Sequence, residues 1–140
     1  MISGIEFSKG PIPEAPEIAA LYLANGWSSG RKPDLVRKAL ENSDGLVLAR
    51  HRGQLIGLVY ALSDGHLVVY YPHLIVHPDY QGKGMGKALM ERIMQRYGDI
   101  HQQVLIADDH AEPFYRKLGF TLADGTKPMW IYDRAADGAG

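Results

Sequence analysis

Residues 79–88 read Asp79-Tyr80-Gln81-Gly82-Lys83-Gly84-Met85-Gly86-Lys87-Ala88, and this run constrains the fold more than any other part of the chain. Glycine at three alternate positions frees the backbone torsions, so the run suits a turn and not the middle of a strand or helix. On its N-terminal side, residues 67–77 are apolar and partly β-branched, and Pro78 stops them. On its C-terminal side, Met85, Leu89, Ile93 and Met94 recur at helical spacing. The chain therefore passes from a strand through a glycine turn into a helix. A helix that starts this way presents free N–H groups and the positive end of its dipole, and the missing side chains let a ligand come close. Lys83 and Lys87 add positive charge, so a pyrophosphate is the natural guest.

Three readings of the run compete. A Walker-type loop needs Ser or Thr after the lysine to hold magnesium, and Ala88 stands there. A dinucleotide fold wants Gly-x-Gly-x-x-Gly directly after its first strand, with an acidic residue about 20 positions on. Here the glycines come late and are spaced two and two. The third reading is a tight turn chosen only for packing.

The rest of the chain supplies a sheet and its covering helices. Residues 2–7 read as a first strand, and Ile18, Leu21 and Tyr22 mark a helix stopped by Gly26. Pro33 opens a second helix with Leu35, Val36, Ala39 and Leu40 on one face. Residues 46–49 and 55–62 are strands joined at Arg52-Gly53, and Asp64-Gly65 turns the chain into the strand at 67–77. After the glycine turn and its helix come a strand at 104–107, a helix at 111–118 closed by Gly119, and two closing strands at 120–122 and 129–132. Consecutive hairpins imply a mostly antiparallel sheet with one parallel crossover, helices lying on both faces. The expected fold class is a mixed α/β domain over residues 1–134, with a loose tail at 135–140.

Composition narrows the function classes. The chain of 140 residues has no cysteine, which removes a thiol nucleophile, a cysteine-ligated zinc and a disulfide scaffold, and fits a reducing, cytoplasmic setting. The start of the chain lacks a signal-peptide pattern, and no apolar run approaches the length of a membrane span. A formal net charge of −1 with mixed signs gives no footprint for nucleic acid. The histidines at His51, His66, His77 and His101 are scattered and form no helical His-x-x-x-His pair, so no metal site is expected.

Gln81-x-x-Gly84-x-Gly86, following Leu74-Ile75-Val76-His77-Pro78, resembles the acetyl-CoA signature of the GNAT superfamily of N-acetyltransferases. Residues Ala111-Glu112-Pro113-Phe114-Tyr115-Arg116-Lys117-Leu118-Gly119-Phe120 resemble that superfamily's C-terminal motif. The order of the elements agrees, so the resemblance spans nearly the whole chain. Gly26-Trp27, residues 35–40 and Met129-Trp130 also resemble a short bacterial subgroup and its plastid relatives described as arylalkylamine acetyltransferases.

The resemblance implies a cosubstrate, a reaction and a set of site residues. Acetyl-CoA would be the cosubstrate, with Gln81, Gly82, Lys83, Gly84, Met85, Gly86 and Lys87 around its pyrophosphate. Leu74, Ile75 and Val76 would offer strand backbone to the pantetheine arm, in the gap left where two strands splay. An acetyl group would pass to the primary amine of a small molecule by direct attack in a ternary complex, with N–H groups near Leu74 on the oxyanion. Tyr115 stands where the family's general acid stands, next to the CoA sulfur; a phenol, with its pKa of about 10, is protonated at neutral pH and has a proton to give. Its plain alternative is core packing beside Phe114. The glutamate that some members carry as a base falls here at Tyr70. His73 is then the candidate base, although strand alternation would turn it away from Tyr70, Leu74 and Val76. Asp108, Asp109 and His110 are alternatives, as is a route with no base. Trp27, Tyr70 and Asp108 are the candidate acceptor contacts, with Tyr60 and Tyr71 nearby; Trp27 packing the helices onto the sheet is the other reading. By analogy with many small members the chain would be a homodimer. A GNAT-like domain that senses acyl-CoA or regulates a partner without turnover is the competing function.

Overall fold

The computed structural model describes residues 2–133; the tail expected at 135–140 lies outside the described residues. Five strands make one sheet in the order β1 (Ile5–Ser8), β2 (Gly45–His51), β3 (Gln54–Ser63), β4 (Val68–Val76) and β5 (Gln102–Val104). The first four are antiparallel neighbours, and β5 runs parallel to β4. Four α-helices cover the sheet: α1 (Ala15–Ala24), α2 (Pro33–Glu41), α3 (Met85–Met94) and α4 (Glu112–Lys117). Among the described residues no helix is long and apolar enough to cross a membrane.

Local chemistry explains the element ends. Arg52 and Gly53 both have positive φ, 52° and 81°, as a two-residue hairpin loop of the primed type requires. Asp64 Oδ1 accepts from the N–H groups of His66, Leu67 and Val68, which folds the β3–β4 turn and lowers the carboxyl pKa. At the start of α1 the Glu14 N–H donates to Glu17 Oε2 at 2.9 Å. Glu17 also takes two bonds from Arg50 on β2, at 2.6 and 3.0 Å, which ties α1 to the sheet.

The two faces bury different clusters. Ile18, Leu21 and Tyr22 of α1 and Val36 and Leu40 of α2 pack on Leu46, Leu48, Leu55, Leu58, Tyr60 and Ile75. Met85, Leu89, Met90 and Ile93 of α3 pack on Val47, Ala49, Ile56, Val59, Val69 and Tyr71. Each of the larger aliphatic side chains contributes about 1.5–3 kcal/mol through burial.

Three expectations need correction. The strand expected at 104–107 forms at Gln102–Val104, because the chain leaves β4 after Val104 and has no ladder to join. The closing strands at 120–122 and 129–132 do not form, so among the described residues the sheet ends at β5. Their apolar residues have no sheet face to cover them: Met129 is 91% exposed, Trp130 68% and Ile131 105%. The third correction is of facing. Between Tyr60 and Leu62 of β3 the pairing with β4 slips by one, so Tyr71 and Pro72 bulge opposite Ala61. The extra residue puts Tyr70 and His73 on the same face of the sheet, against the alternation expected from sequence; Leu74 and Val76 do face the other way.

Candidate active site

The gap between β4 and β5 is built by early loss of pairing. The ladder runs from Val68↔Gln102 to Tyr70↔Val104 and stops, while β4 continues to Val76. From there on, the backbone of Leu74, Ile75 and Val76 is paired to β3 on one side only. An open strand edge of this kind accepts an extended polar chain as an additional strand.

That edge leads into the glycine turn. Gly82 and Gly84 have φ of +74° and +86°, conformations that other residues reach only with strain. Gly84 caps α3, whose first backbone bond runs from the Ala88 N–H to the Gly84 carbonyl. Met85, Gly86 and Lys87 thus present N–H groups with no intrahelical acceptor. A Cβ built on Gly82 or Gly84 meets nothing within 4 Å, so the two glycines border open space at the positive end of α3. The exposed Lys87 lies one position beyond Gly86, while Lys83 Nζ donates to the Asp79 carbonyl at 3.1 Å. Concave backbone, free N–H groups and cations suit the diphosphate of a CoA.

Two of the expected cofactor residues have other visible work. Gln81 Nε2 donates to the Val76 carbonyl and to Asn25 Oδ1, both at 2.9 Å, so its side chain braces the end of β4 against the end of α1. Gly86 lies under the Phe114 ring, with a built Cβ 3.2 Å from Phe114 Cζ. The missing side chain lets α4 settle on the first turn of α3, and Phe114 carries its neighbour Tyr115 there. The Tyr115 ring meets those of Phe114 and Phe120 at 5.0 and 6.0 Å. Burial raises its phenol pKa, and the charge of Asp108 adds to this, so the hydroxyl keeps its proton at neutral pH.

On the other face of β4 stands a wall of rings. His73 meets Trp27 at 5.4 Å, Tyr60 at 5.3 Å and Tyr22 at 5.5 Å. Its Nδ1 shares a hydrogen bond of 2.9 Å with the hydroxyl of the fully buried Tyr22. Burial pushes the His73 pKa down to about 4 and that of Tyr22 far above its usual range, so both are neutral near pH 7. Tyr70 acts electrostatically on Tyr60 and so belongs with this wall. Tyr71 does not. It is 4% exposed in the α3 core, donates to Gln103 Oε1 at 2.7 Å and packs near Tyr97, which corrects its expected place among the acceptor residues.

The structure thus gathers Trp27, Tyr70 and His73 on one side of β4, and Leu74, Val76 and Tyr115 on the other. Asp108 is exposed in the segment between β5 and α4 and acts on Tyr115. Sequence reasoning missed Tyr22 as the partner of His73 and Asn25 as the partner of Gln81. The signal for Tyr22 was a hydroxyl on the apolar face of α1, which needs a partner once buried. It also missed the path of the C-terminal segment, where the Ser28 and Tyr132 hydroxyls lie 3.2 Å apart and Trp130 stacks on Tyr132. A surface groove of about 710 Å³ lies elsewhere, between residues such as Phe7, Leu40, Arg92 and Arg96. Among the described residues no group of three or more His, Asp or Glu side chains is placed to hold a metal.

Comparison with known proteins settles the family. Residues 18–127 match the family model described as the acetyltransferase (GNAT) domain. The chain belongs to the GNAT acetyltransferase family. Membership implies acetyl transfer, and the mixed five-stranded sheet with its helices is the family's acyltransferase fold. A GNAT-family acetyltransferase from Streptococcus pneumoniae superposes with a TM-score of 0.77 at 28% identity, over 91% of this chain and 96% of its own. The protein named uncharacterised N-acetyltransferase ycf52 of Pyropia yezoensis is 32% identical over 84% of this chain and 71% of its own. The ycf52 protein of Gracilaria tenuistipitata is 43% identical over 56% of this chain, which spans 44% of that relative's length.

Proposed function

We propose that this GNAT domain is an acetyl-CoA-dependent N-acetyltransferase that acts on the primary amine of a small molecule, by direct attack while both substrates are bound. The observation that carries this is the meeting of three features at one place. The edge of β4 is open beyond Tyr70, the turn at Gly82 and Gly84 leads from that edge into the free N–H groups of α3, and Tyr115 packs on the same side. The edge would hold the pantetheine arm, the N–H groups and Lys87 the diphosphate, and the Tyr115 phenol would give its proton to the departing sulfur. The ring wall of Trp27, Tyr60, Tyr70 and His73 would receive the acceptor. Its flat apolar surface and narrow supply of polar groups suit a small amine better than a large anion.

Free-thiol release from acetyl-CoA over a panel of amines tests the proposal. Turnover with at least one small primary amine is the expected result. Tight CoA binding with no thiol release from any amine would leave a sensor and overturn the enzyme reading. In an active enzyme, Tyr115→Phe lowers kcat by about 100-fold and leaves CoA affinity unchanged. Activity within about threefold of the parent would return Tyr115 to core packing.

A further inference from the structure

The glycine turn has little of its own to fix its shape. Gly82 and Gly84 carry the backbone freedom that only glycine has, and open space borders both. Several N–H groups must still converge on one diphosphate, so the order has to come from the two ends of the turn. The C-terminal end is α3, whose Met85 and Leu89 are buried. The N-terminal end is the pair Tyr80 and Gln81, and these neighbours reach to opposite faces of the sheet. Tyr80 packs with the cluster on the α3 side. Its hydroxyl shares a hydrogen bond of 2.7 Å with His51 Nδ1, and the two rings meet edge to face at 5.4 Å. Gln81 turns the other way, toward α1. Its Nε2 donates one proton to Asn25 Oδ1 and the other to the Val76 carbonyl. Both partners are themselves held. Asn25 Nδ2 donates to the Leu21 carbonyl at 3.1 Å, and His51 stands in register between Ile5 of β1 and Gln54 of β3.

We infer that His51 and Asn25 are positioning residues for the cofactor: acting through Tyr80 and Gln81, they fix the entry of the glycine turn so that its N–H groups converge before the diphosphate arrives. This rests on the assignment of the diphosphate to the turn made above. Both residues lie outside the turn and its helix. His51 ends β2, 29 positions before Tyr80, and Asn25 follows α1, 56 positions before Gln81. With either anchor gone, the entry of the turn samples more conformations, and ordering them falls to the moment of binding. That loss weighs on the part of the cofactor that the turn holds. The pantetheine arm would lie on the edge of β4, whose ladder to β3 includes neither anchor bond, so its binding is not affected.

The test compares CoA with pantetheine, which carries the arm but no diphosphate, by calorimetry on the full chain. His51→Phe keeps a ring against Tyr80 and removes the hydrogen-bonding atom; Asn25→Ala removes the acceptor of Gln81. Each variant weakens CoA binding by about fivefold, roughly the net contribution of one hydrogen bond, and leaves pantetheine binding unchanged. His51→Asn and Asn25→Asp keep a polar atom where the bond is made, and they restore CoA affinity to within about twofold of the wild type. Equal weakening of CoA and pantetheine would mark a general loosening of the fold and overturn the inference. Unchanged CoA binding in either of the first two variants would do the same, as would failure of the conservative pair to restore it. If the wild type bound CoA no more tightly than pantetheine, the diphosphate would not sit on the turn, and the reading of the site would fall together with the inference.

Discussion

Replacing His73 with Gln should change how the protein responds to acid. The wild-type imidazole titrates near 4 in the folded state against 6.5 when exposed, through burial among Tyr22, Trp27 and Tyr60. The folded-state value is the depressed one, so the unfolded chain binds the proton first as pH falls. Stability contributed by the neutral ring is intact above 6.5 and is lost between 6.5 and about 4. A difference of about 2.5 units, at 1.36 kcal/mol each, amounts to about 3 kcal/mol across that window. For a domain of this size this corresponds to about 10 °C in Tm. Glutamine still offers Tyr22 a hydrogen-bonding group but has no proton to gain. Urea melts of the two proteins between pH 7.5 and 4 give the difference directly, since every other titrating group is common to both. The Glu17–Arg50 pair, which lowers the Glu17 pKa, loses strength at lower pH and cancels in the subtraction. A difference flat from 6.5 to 4 would refute the burial argument, because it would mean that His73 takes up its proton in the folded protein as readily as in water.

Gly84→Ala forces a Cβ into a backbone at φ +86° with open space around it, so it should cost the free protein only about 1–2 kcal/mol. CoA affinity should fall by far more than this strain explains; calorimetry showing unchanged affinity would reduce the turn to packing. Gly86→Ala should instead disturb Phe114, whose Cζ would lie 3.2 Å from the new methyl, and show itself chiefly in the melting temperature. Trp27→Ala separates the two roles of that ring: a raised acceptor KM at unchanged Tm marks a pocket wall, while a lowered Tm with KM unchanged marks core packing.

Much of this architecture was legible because it rests on local chemistry. Arg52-Gly53, Asp64-Gly65 and Pro33 mark turns and a helix start by backbone preference alone, and all three mark real boundaries. The glycine turn was legible for the same reason, since the positive φ at Gly82 and Gly84 leaves little choice of residue. What could not be read depends on distant partners. Residues 129–132 have the composition of a strand, but a strand exists only where a neighbour supplies the ladder, and none does among the described residues. The histidine–tyrosine bond joins positions 73 and 22 across the sheet–helix interface, and no local pattern announces it. The different parts of Gly84 and Gly86, one bordering open space and one lying under Phe114, emerge only when α4 is in place.

The bulge at Tyr71 and Pro72 has a consequence for how this protein can change. Proline has no N–H to offer a ladder, and the bulge is a position where a strand tolerates its loss. Upstream of it, side chains keep one assignment of inside and outside; downstream, the assignment is reversed by one extra residue. Pairing of the same residues without the bulge would hold the two halves to a single alternation and move His73, Leu74, Ile75 and Val76 each to the opposite face. The ring wall and the surface beneath the open edge would then exchange linings, although no site side chain had been altered. In this chain one strand serves two compartments with different chemistry, and the count of residues between Tyr70 and His73 decides which compartment each side chain enters.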